Sequence, residues 1–495
     1  MTSPSADAFK RSTVHGVLWT ALEAVFRVGF QFSVTVALAR LLTPEEFGIV
    51  AIVYVFTQMG SVLVDGGFTR ALVQQRDATD EEISAVFHFQ WMFGLLLGVV
   101  LNLAAPWIAA FYGHSILDPL TRVLALDIFL SALGGVQRSL LDRALAFRQV
   151  TIAGLMSSII AGAVAVLLAY NGAGVWALAA QALVATSVYV AALWLSHPWR
   201  PRMVFRPALL KRTFAFGQFL LLSGLLEVVY GRLYGLVIGK VYGFADLGQY
   251  TRAVSTQAVP ASMLGGIVAR VAFAAFAAIQ DDKARIYSGL RKGLIGVMAI
   301  TIPVMLGLLA VAQPFVLTAF GEAWRPSIPL FRILCLAGLV LPMHMINLNV
   351  LLATGHASLF FRIEVIKKTC GIILFLSAVP FGLEALAWSQ VLYSMACFAT
   401  HAHYTGRLFG FGGLAQIRAC SPWLLAGVVM ACAVWSLQFV LPFSMPVLLA
   451  MQVLLGIILY MAFWVLWDPS LLREMIQTVL SRSEAGGLGP AASGR

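Results

Sequence analysis

Charge is scarce in this chain: Asp, Glu, Lys and Arg make up 11% of its 495 residues, where soluble domains carry about 25%. Hydrophobic residues reach 60% and the mean hydropathy is +0.89, so a soluble globular class is excluded. Cysteine is sparse too. The five, Cys335, Cys370, Cys397, Cys420 and Cys432, show no C-x-x-C spacing, which leaves packing as their role rather than a disulfide framework or a zinc ribbon. There is no G-x-x-x-x-G-K-[ST] phosphate loop and no stretch long and polar enough for a nucleotide domain, which argues against ATP-driven work. No A-x-A-like cleavage site follows the first apolar run, so that run is expected to remain as an anchor. Nothing pairs a nucleophile with its base, and His88, His344, His401 and His403 lack metal-ligand spacing. They read as isolated, satisfied histidines. No enzyme, metal or organic cofactor is expected.

What the chain does have is apolar runs of bilayer-crossing length, about 20 residues each. They fall near 14–38, 48–66, 85–110, 119–137, 151–170, 174–195, 214–239, 250–276, 293–316, 328–352, 364–381, 384–405, 421–441 and 446–467. An all-α membrane protein of about fourteen transmembrane helices follows. Basic residues concentrate in alternate connectors, for example Arg138, Arg143 and Arg148, then Arg200, Arg202, Arg206, Lys211 and Arg212, then Arg362, Lys367 and Lys368. The other set has only Arg40, Arg122, Lys240, Arg252, Arg325 and Arg332. Because Lys- and Arg-rich loops stay in the cytoplasm, both termini are expected there. The net charge of +11 suits contact with anionic headgroups and needs no nucleic acid.

One composition shift stands out. Between Ser196 and Arg212 three prolines and five basic residues interrupt the hydrophobicity. It divides the chain into a cytoplasmic N-terminus (1–13), a first six-helix bundle (14–195), a basic linker (196–213), a second bundle (214–405), two further helices (406–467), and an amphipathic helix with a small, polar tail (468–495). That last helix would start at Asp468, Pro469 and Ser470 and lie on the membrane surface. Sliding the chain by 200 positions lays Arg40, Glu46, Phe47 and Gly48 over Lys240, Asp246, Leu247 and Gly248. Six spans return a chain to the same side, so two such halves would be parallel, pseudo-symmetric repeats with a substrate path between them. Pro260, Gly265, Gly266, Pro303 and Pro342 fall inside spans, where they can kink helices or simply pack.

Charges inside the apolar runs are the candidate machinery, since an ionised group near the bilayer centre costs about 3 kcal/mol or more and is kept where it faces protein or water. Thr20, Glu23, Arg27, Gln31 and Thr35 recur every three or four residues and share one helix stripe. Glu23 and Arg27 can neutralise each other as an i,i+4 pair; alternatively Arg27 binds an anionic headgroup while Glu23 and Gln31 support it. Arg232 in the seventh run is the second anion-binding candidate, whereas Arg270 can snorkel to the interface. Glu227, Glu364 and Asp127 are the acids that could couple export to a proton or Na⁺ gradient; each can equally serve a helix–helix hydrogen bond.

From Ala37 to His88 the chain reads ALARLLTPEEFGIVAIV and then DGGFTRALVQQRDATDEEISAVFH. With Asp65, Gly66, Ala71, Leu72, Val73, Gln74, Thr79 and Glu82 in the family's pattern, it resembles the polysaccharide transporter family of the MOP exporter superfamily, the Wzx-like oligosaccharide flippases. IGKVYGFADLGQYTRA (238–253) and ATGHASLFFRIEVIKK (353–368) look similar too. The resemblance implies a MATE/flippase-like fold of two bundles around a central cavity. It also implies turnover of polyprenyl-pyrophosphate-linked sugar repeat units across a bacterial inner membrane, for exopolysaccharide, capsule or O-antigen (lipopolysaccharide) synthesis. Partners would be the lipid-linked oligosaccharide, membrane lipids and polymerase or export machinery. Arginines line such cavities for the pyrophosphate, which suits Arg27 by position. A MATE-type drug or cation antiporter of the same superfamily is a competing reading, opposed by Arg27 and Arg232. A membrane glycosyltransferase or polymerase is opposed by short external loops, and a lipid II flippase stays open.

Overall fold

The computed structural model describes residues 28–74, 78–203, 207–277, 279, 282–354, 357–440 and 443–467; for 70, 207–220, 223, 262–275, 277, 357, 358, 361 and 440 the backbone alone is described. Glu23, Arg27, the side chain of Arg270 and the segment from Asp468 onward therefore lie outside the described residues. Every regular element among the described residues is helical, and the chain divides into two compact units, 1–248 and 249–495.

The first unit contains α1 (Val28–Leu41), α2 (Pro44–Asp65), α3 (Phe68–Gln74), α4 (Asp80–Tyr112), α5 (Leu117–Ala132), α6 (Gly135–Arg143), α7 (Phe147–Tyr170), α8 (Val175–Ser196), α9 (Pro207–Val241) and the first turn of α10 (Phe244–Ala277). Here α2 packs on α5, α8 and α9, α4 on α5, and α7 on α8. Because α9 also lies along α3 and α4, the compact unit extends beyond the basic linker to Gly248. The linker's start is itself docked: Arg202 N–H donates to Ser84 Oγ at 3.0 Å, Gln137 Nε2 donates to the Trp199 carbonyl at 3.2 Å, and Trp194 and Trp199 meet the Phe87 ring edge-on.

The rest of α10 opens the second unit, followed by α11 (Lys283–Ala310), α12 (Ala312–Ala319), α13 (Ser327–Ala353), α14 (Ala357–Ala378), α15 (Leu383–Phe409), α16 (Gly413–Val440) and α17 (Met445–Trp467). Helix α13 lies between α11 and α15, α14 packs on α15, and α16 joins α11 to α17. Leu294, Met298, Ile346, Phe398, Trp423 and Tyr460 are among the buried side chains that knit these helices into one core.

Nine helical segments among the described residues are long and apolar enough to cross a membrane. On α4, Leu95, Leu96, Val99, Val100, Leu103 and Trp107 are all exposed, an apolar face that water would penalise and lipid accepts. Helix α14 occupies the eleventh run yet carries Arg362, Glu364, Lys367 and Lys368 within its 22 residues. This corrects the reading of those basic residues as connector charges. Lys367 is only 8% exposed, and its charge is met inside the helix by Glu364. Arg252 is likewise no loop residue: it is buried in α10, with Phe320 and Trp324 at 5.2 and 4.9 Å from its guanidinium to the ring centres.

The 200-residue offset has a structural counterpart. A Cβ added to Gly48 would overlap the Phe244 carbonyl oxygen and lie 2.6 Å from its carbon; one added to Gly248 would overlap the Pro44 carbonyl oxygen and lie 2.6 Å from its carbon. Residues 44 and 244 and residues 48 and 248 are each one offset apart. The first turns of α2 and α10 thus cross backbone to backbone, with the two contacts exchanging roles.

Candidate functional site

Within the first unit the polar groups are few and can be placed one by one. Arg232, half-buried on α9, donates through Nη2 to Gln58 Oε1 on α2. Its partner is an uncharged amide, and no carboxylate among the described residues meets the guanidinium. Such a planar, delocalised donor suits oxyanions, phosphate above all. Gln58 was not singled out from sequence; the only signal was a polar Thr57-Gln58 step inside an apolar run. Gln31 lies exposed on α1.

Asp127 on α5 accepts a hydrogen bond from the Thr186 side chain on α8. Its Oδ1 is buried with no hydrogen-bond partner among the described residues. Tyr54 on α2 donates to the Leu178 carbonyl at 3.3 Å. This carboxyl is therefore an interior group reached by three helices. Glu227 on α9 is exposed.

The motif residues have a different job. Thr79 and Glu82 form a reciprocal capping box at the start of α4: Thr79 N–H donates to Glu82 Oε2 at 2.9 Å and Glu82 N–H donates to Thr79 Oγ1 at 3.3 Å. Gly66 closes α2 with φ 54°, a left-handed turn that favours glycine. The Thr69 hydroxyl donates to Asp65 Oδ1, tying the end of α2 to α3. Gln74 ends α3 and is exposed. An Arg202–Asp80 ion pair at 3.3 Å adds to this joint. Beside it, burial and then the Arg200 charge hold the His197 imidazole below its ordinary value; its Nδ1 accepts from Trp199 N–H at 3.2 Å.

In the second unit Glu364 is engaged, its Oε1 2.6 Å from Lys367 Nζ. His88 is satisfied through the Ser84 carbonyl at 2.7 Å, as the sequence led one to expect. His344 and His401 are not isolated, however: their rings lie 5.8 Å apart, centre to centre. These two residues, 57 positions apart in sequence, meet because α13 packs along α15, a pairing that no spacing rule reveals. The same interface holds a buried amide–hydroxyl network of Asn347, Thr405 and Gln416, also unmarked in the sequence.

Comparison with known proteins adds to this geometry. Residues 37–329, more than half the chain, match the family described as "Polysaccharide biosynthesis protein". The teichuronic acid biosynthesis protein TuaB of Bacillus subtilis is 28% identical over 397 residues, 78% of this chain and 81% of that protein. The succinoglycan biosynthesis transport protein ExoT of Rhizobium meliloti is 28% identical over 391 residues, 78% of each. The lipopolysaccharide biosynthesis protein WzxC of Escherichia coli is 26% identical over 381 residues, 76% of each. Among solved structures, lipid II flippase MurJ in an inward closed conformation matches with a TM-score of 0.73 at 14% identity, over 92% of this chain and 100% of that one. An inward-facing multidrug resistance MATE family transporter of the MOP superfamily matches at 0.59 and 16% identity, over 79% and 100%. The structural likeness establishes an all-helical fold shared with these transporters. On the match across 37–329, the chain belongs to the polysaccharide biosynthesis protein family.

Proposed function

We propose that this protein is a flippase that moves polyprenyl-pyrophosphate-linked oligosaccharide repeat units from the cytoplasmic to the external leaflet of a bacterial inner membrane, for exopolysaccharide, capsule or O-antigen synthesis. The observation that carries it is the conjunction of family and fold: relatives described as polysaccharide biosynthesis and transport proteins, and a fold matched over 92% of the chain by a structure described as a lipid II flippase. Arg232 supports the reading, because a guanidinium that meets an amide and, among the described residues, no carboxylate has charge to offer a pyrophosphate. Arg27, Glu23 and Gln31 on the first apolar run are the proposed second contact. Both termini face the cytoplasm, the repeat boundary falls at 196–213, and a polymerase or export complex receives the product. Proton or Na⁺ coupling through Asp127, Glu227 or Glu364 completes the proposal; of the three, Glu364 is committed to an ion pair, which leaves Asp127 the stronger single acid.

The test is the leaflet location of radiolabelled polyprenyl-pyrophosphate oligosaccharide in inverted membrane vesicles. Native protein moves the lipid, and Arg232→Ala, inserted at normal abundance, slows it at least tenfold, the loss of about 1.4 kcal/mol expected for one charge-assisted contact. Efflux of a cationic dye by native protein, unaffected by Arg232→Ala and unaccompanied by lipid movement, would instead select the antiporter reading.

A further inference from the structure

Of the six basic residues set apart from the basic-rich connectors, four have partners that can be named. Arg122 pairs with Asp118 at 2.7 Å, Arg325 pairs with Glu322, and Lys240 donates to the Phe111 carbonyl. Arg252 is packed against Phe320 and Trp324. Arg332, half-buried in the second turn of α13, differs: among the described residues it has no ion pair, hydrogen bond or ring partner. From α11 to α17 the sequence holds three carboxylates, Glu322, Glu364 and Glu384. The first two are taken by Arg325 and Lys367, and Glu384 makes no ion pair with Arg332.

Arg332 lines a cavity of about 400 Å³ in the second unit, where the first turns of α12 and α13 meet the turn from α16 into α17. Gln313 and Gln438 also line it, and neither side-chain amide has a hydrogen-bond partner among the described residues. Trp435, Phe439 and Phe443 form its apolar side. Aromatic rings are ordinary at a membrane–water boundary. A guanidinium and two amides around one cavity, with their bonding capacity unspent, are not, because partly buried polar groups are normally paired. Apolar surface leads away from this polar head. Phe439, Trp435, Cys432, Val428 and Leu425 recur every three or four residues on α16 and are all exposed, so one stripe runs from the cavity along the helix. Lipid accepts such a stripe and water does not.

We infer that this cavity binds the phosphate headgroup of an anionic phospholipid, whose acyl chains lie along the α16 stripe. The site belongs to the external leaflet in the orientation proposed above, and the inference rests on that reading only for the side of the membrane. Arg332 takes the phosphodiester through its planar fork of donors, while the Gln313 and Gln438 amides meet glycerol and headgroup hydroxyls. One guanidinium matches the single negative charge of a phosphodiester. A polyprenyl pyrophosphate brings more charge than this cavity offsets, which makes an ordinary bilayer phospholipid the better occupant. The bound lipid bridges α13 to the end of α16.

The test is photo-crosslinking of full-length protein in phosphatidylcholine vesicles. These carry, at equal mole fraction, either phosphatidylglycerol or phosphatidylcholine with a diazirine in one acyl chain, and labelled peptides are identified by mass spectrometry. Native protein is labelled on the 425–439 stretch about tenfold more by phosphatidylglycerol, the preference expected of one charge-assisted contact. Arg332→Gln removes that preference and Arg332→Lys keeps part of it. Arg407→Gln, in the last turn of α15 beside the opposite end of α16, leaves it intact. If Arg332→Gln fails to fold, Gln438→Leu carries the variant arm with a smaller loss, about threefold. Equal labelling of native protein by the two lipids overturns the site without recourse to any variant, as does a preference that survives Arg332→Gln. Stronger labelling of the same stretch by diazirine-tailed undecaprenyl pyrophosphate overturns the choice of a phospholipid. Labelling needs no transport, so if native protein moves no lipid-linked sugar the flippase reading falls while this assay still decides the site.

Discussion

The crossing of α2 and α10 makes a prediction whose sign differs among three glycine-to-alanine changes in one unit. A new Cβ at residue 48 or 248 would lie 2.6 Å from a backbone carbonyl carbon, with the carbonyl oxygen nearer still; real Cβ atoms do not approach closer than 3.0 Å. The two backbones would have to part by more than 0.4 Å to clear the carbon alone, and no flexible side chain stands between them to give way. Overpacking of this kind costs about 1–3 kcal/mol, because close-packed interiors yield little. Gly48→Ala and Gly248→Ala should each destabilise the protein by that amount. Since both contacts belong to one crossing, a separation forced by the first methyl makes room for the second, and the double variant should lose less than the sum. Gly235→Ala is the control. Its Cβ would meet only Leu247 and Val55 side chains at 3.9 and 4.0 Å, so an interior helical alanine should stabilise by about 0.5–1 kcal/mol. Thermal unfolding of the purified, full-length protein in detergent reads all four variants. Native-like stability in Gly48→Ala and Gly248→Ala, or full additivity in the pair, would refute the reciprocal crossing.

Two further changes follow from the polar groups. Asn347→Ala leaves Gln416 Oε1 without its donor and should cost about 1–3 kcal/mol, whereas Thr405→Ala should cost less than about 1 kcal/mol, because Asn347 Oδ1 still accepts from Gln416; equal unfolding midpoints for the two would contradict the network. Burial and Arg200 depress the His197 imidazole in the folded state, so folding favours its neutral form. The stability this contributes is present above the unfolded value of about 6.5 and is lost as pH falls through it. Unfolding midpoints should therefore drop between about pH 7 and 5, and His197→Asn should flatten that dependence; an unchanged slope would remove His197 from it.

The membrane class and most helix positions were legible because the lipid environment writes them as long apolar runs, a one-dimensional signal. The joint between α2 and α4 was read from the sequence only as a family pattern, although Gly66, Thr79 and Glu82 act on backbone within four residues of themselves, a local signal. Lys367 was misread because the loop-charge rule counts residues and cannot see that Glu364, three positions earlier, neutralises one of them inside a helix. Arg252 was misread similarly: its aromatic partners Phe320 and Trp324 lie about 70 residues away. The His344–His401 pair and the Gln58 partner of Arg232 depend on which faces of separate helices meet, and apolar periodicity is too even here to specify those faces.

The family pattern itself directs where substrate specificity should be sought. Gly66, Thr79 and Glu82 terminate or start helices, and Asp65 accepts from Thr69 one turn away. A residue whose hydrogen-bonding capacity is used on the backbone of its own helix end has little left for a ligand. The pattern therefore specifies a joint between helices rather than a ligand site. Under the proposed flippase function, the groups to examine for discrimination are those with unspent charge on an accessible helix face, Arg232 with its Gln58 partner foremost. Exchanging Gln58 alters the geometry in which Arg232 presents its donors while leaving every cap in place, so it is the substitution that separates the proposed anion recognition from the integrity of the fold.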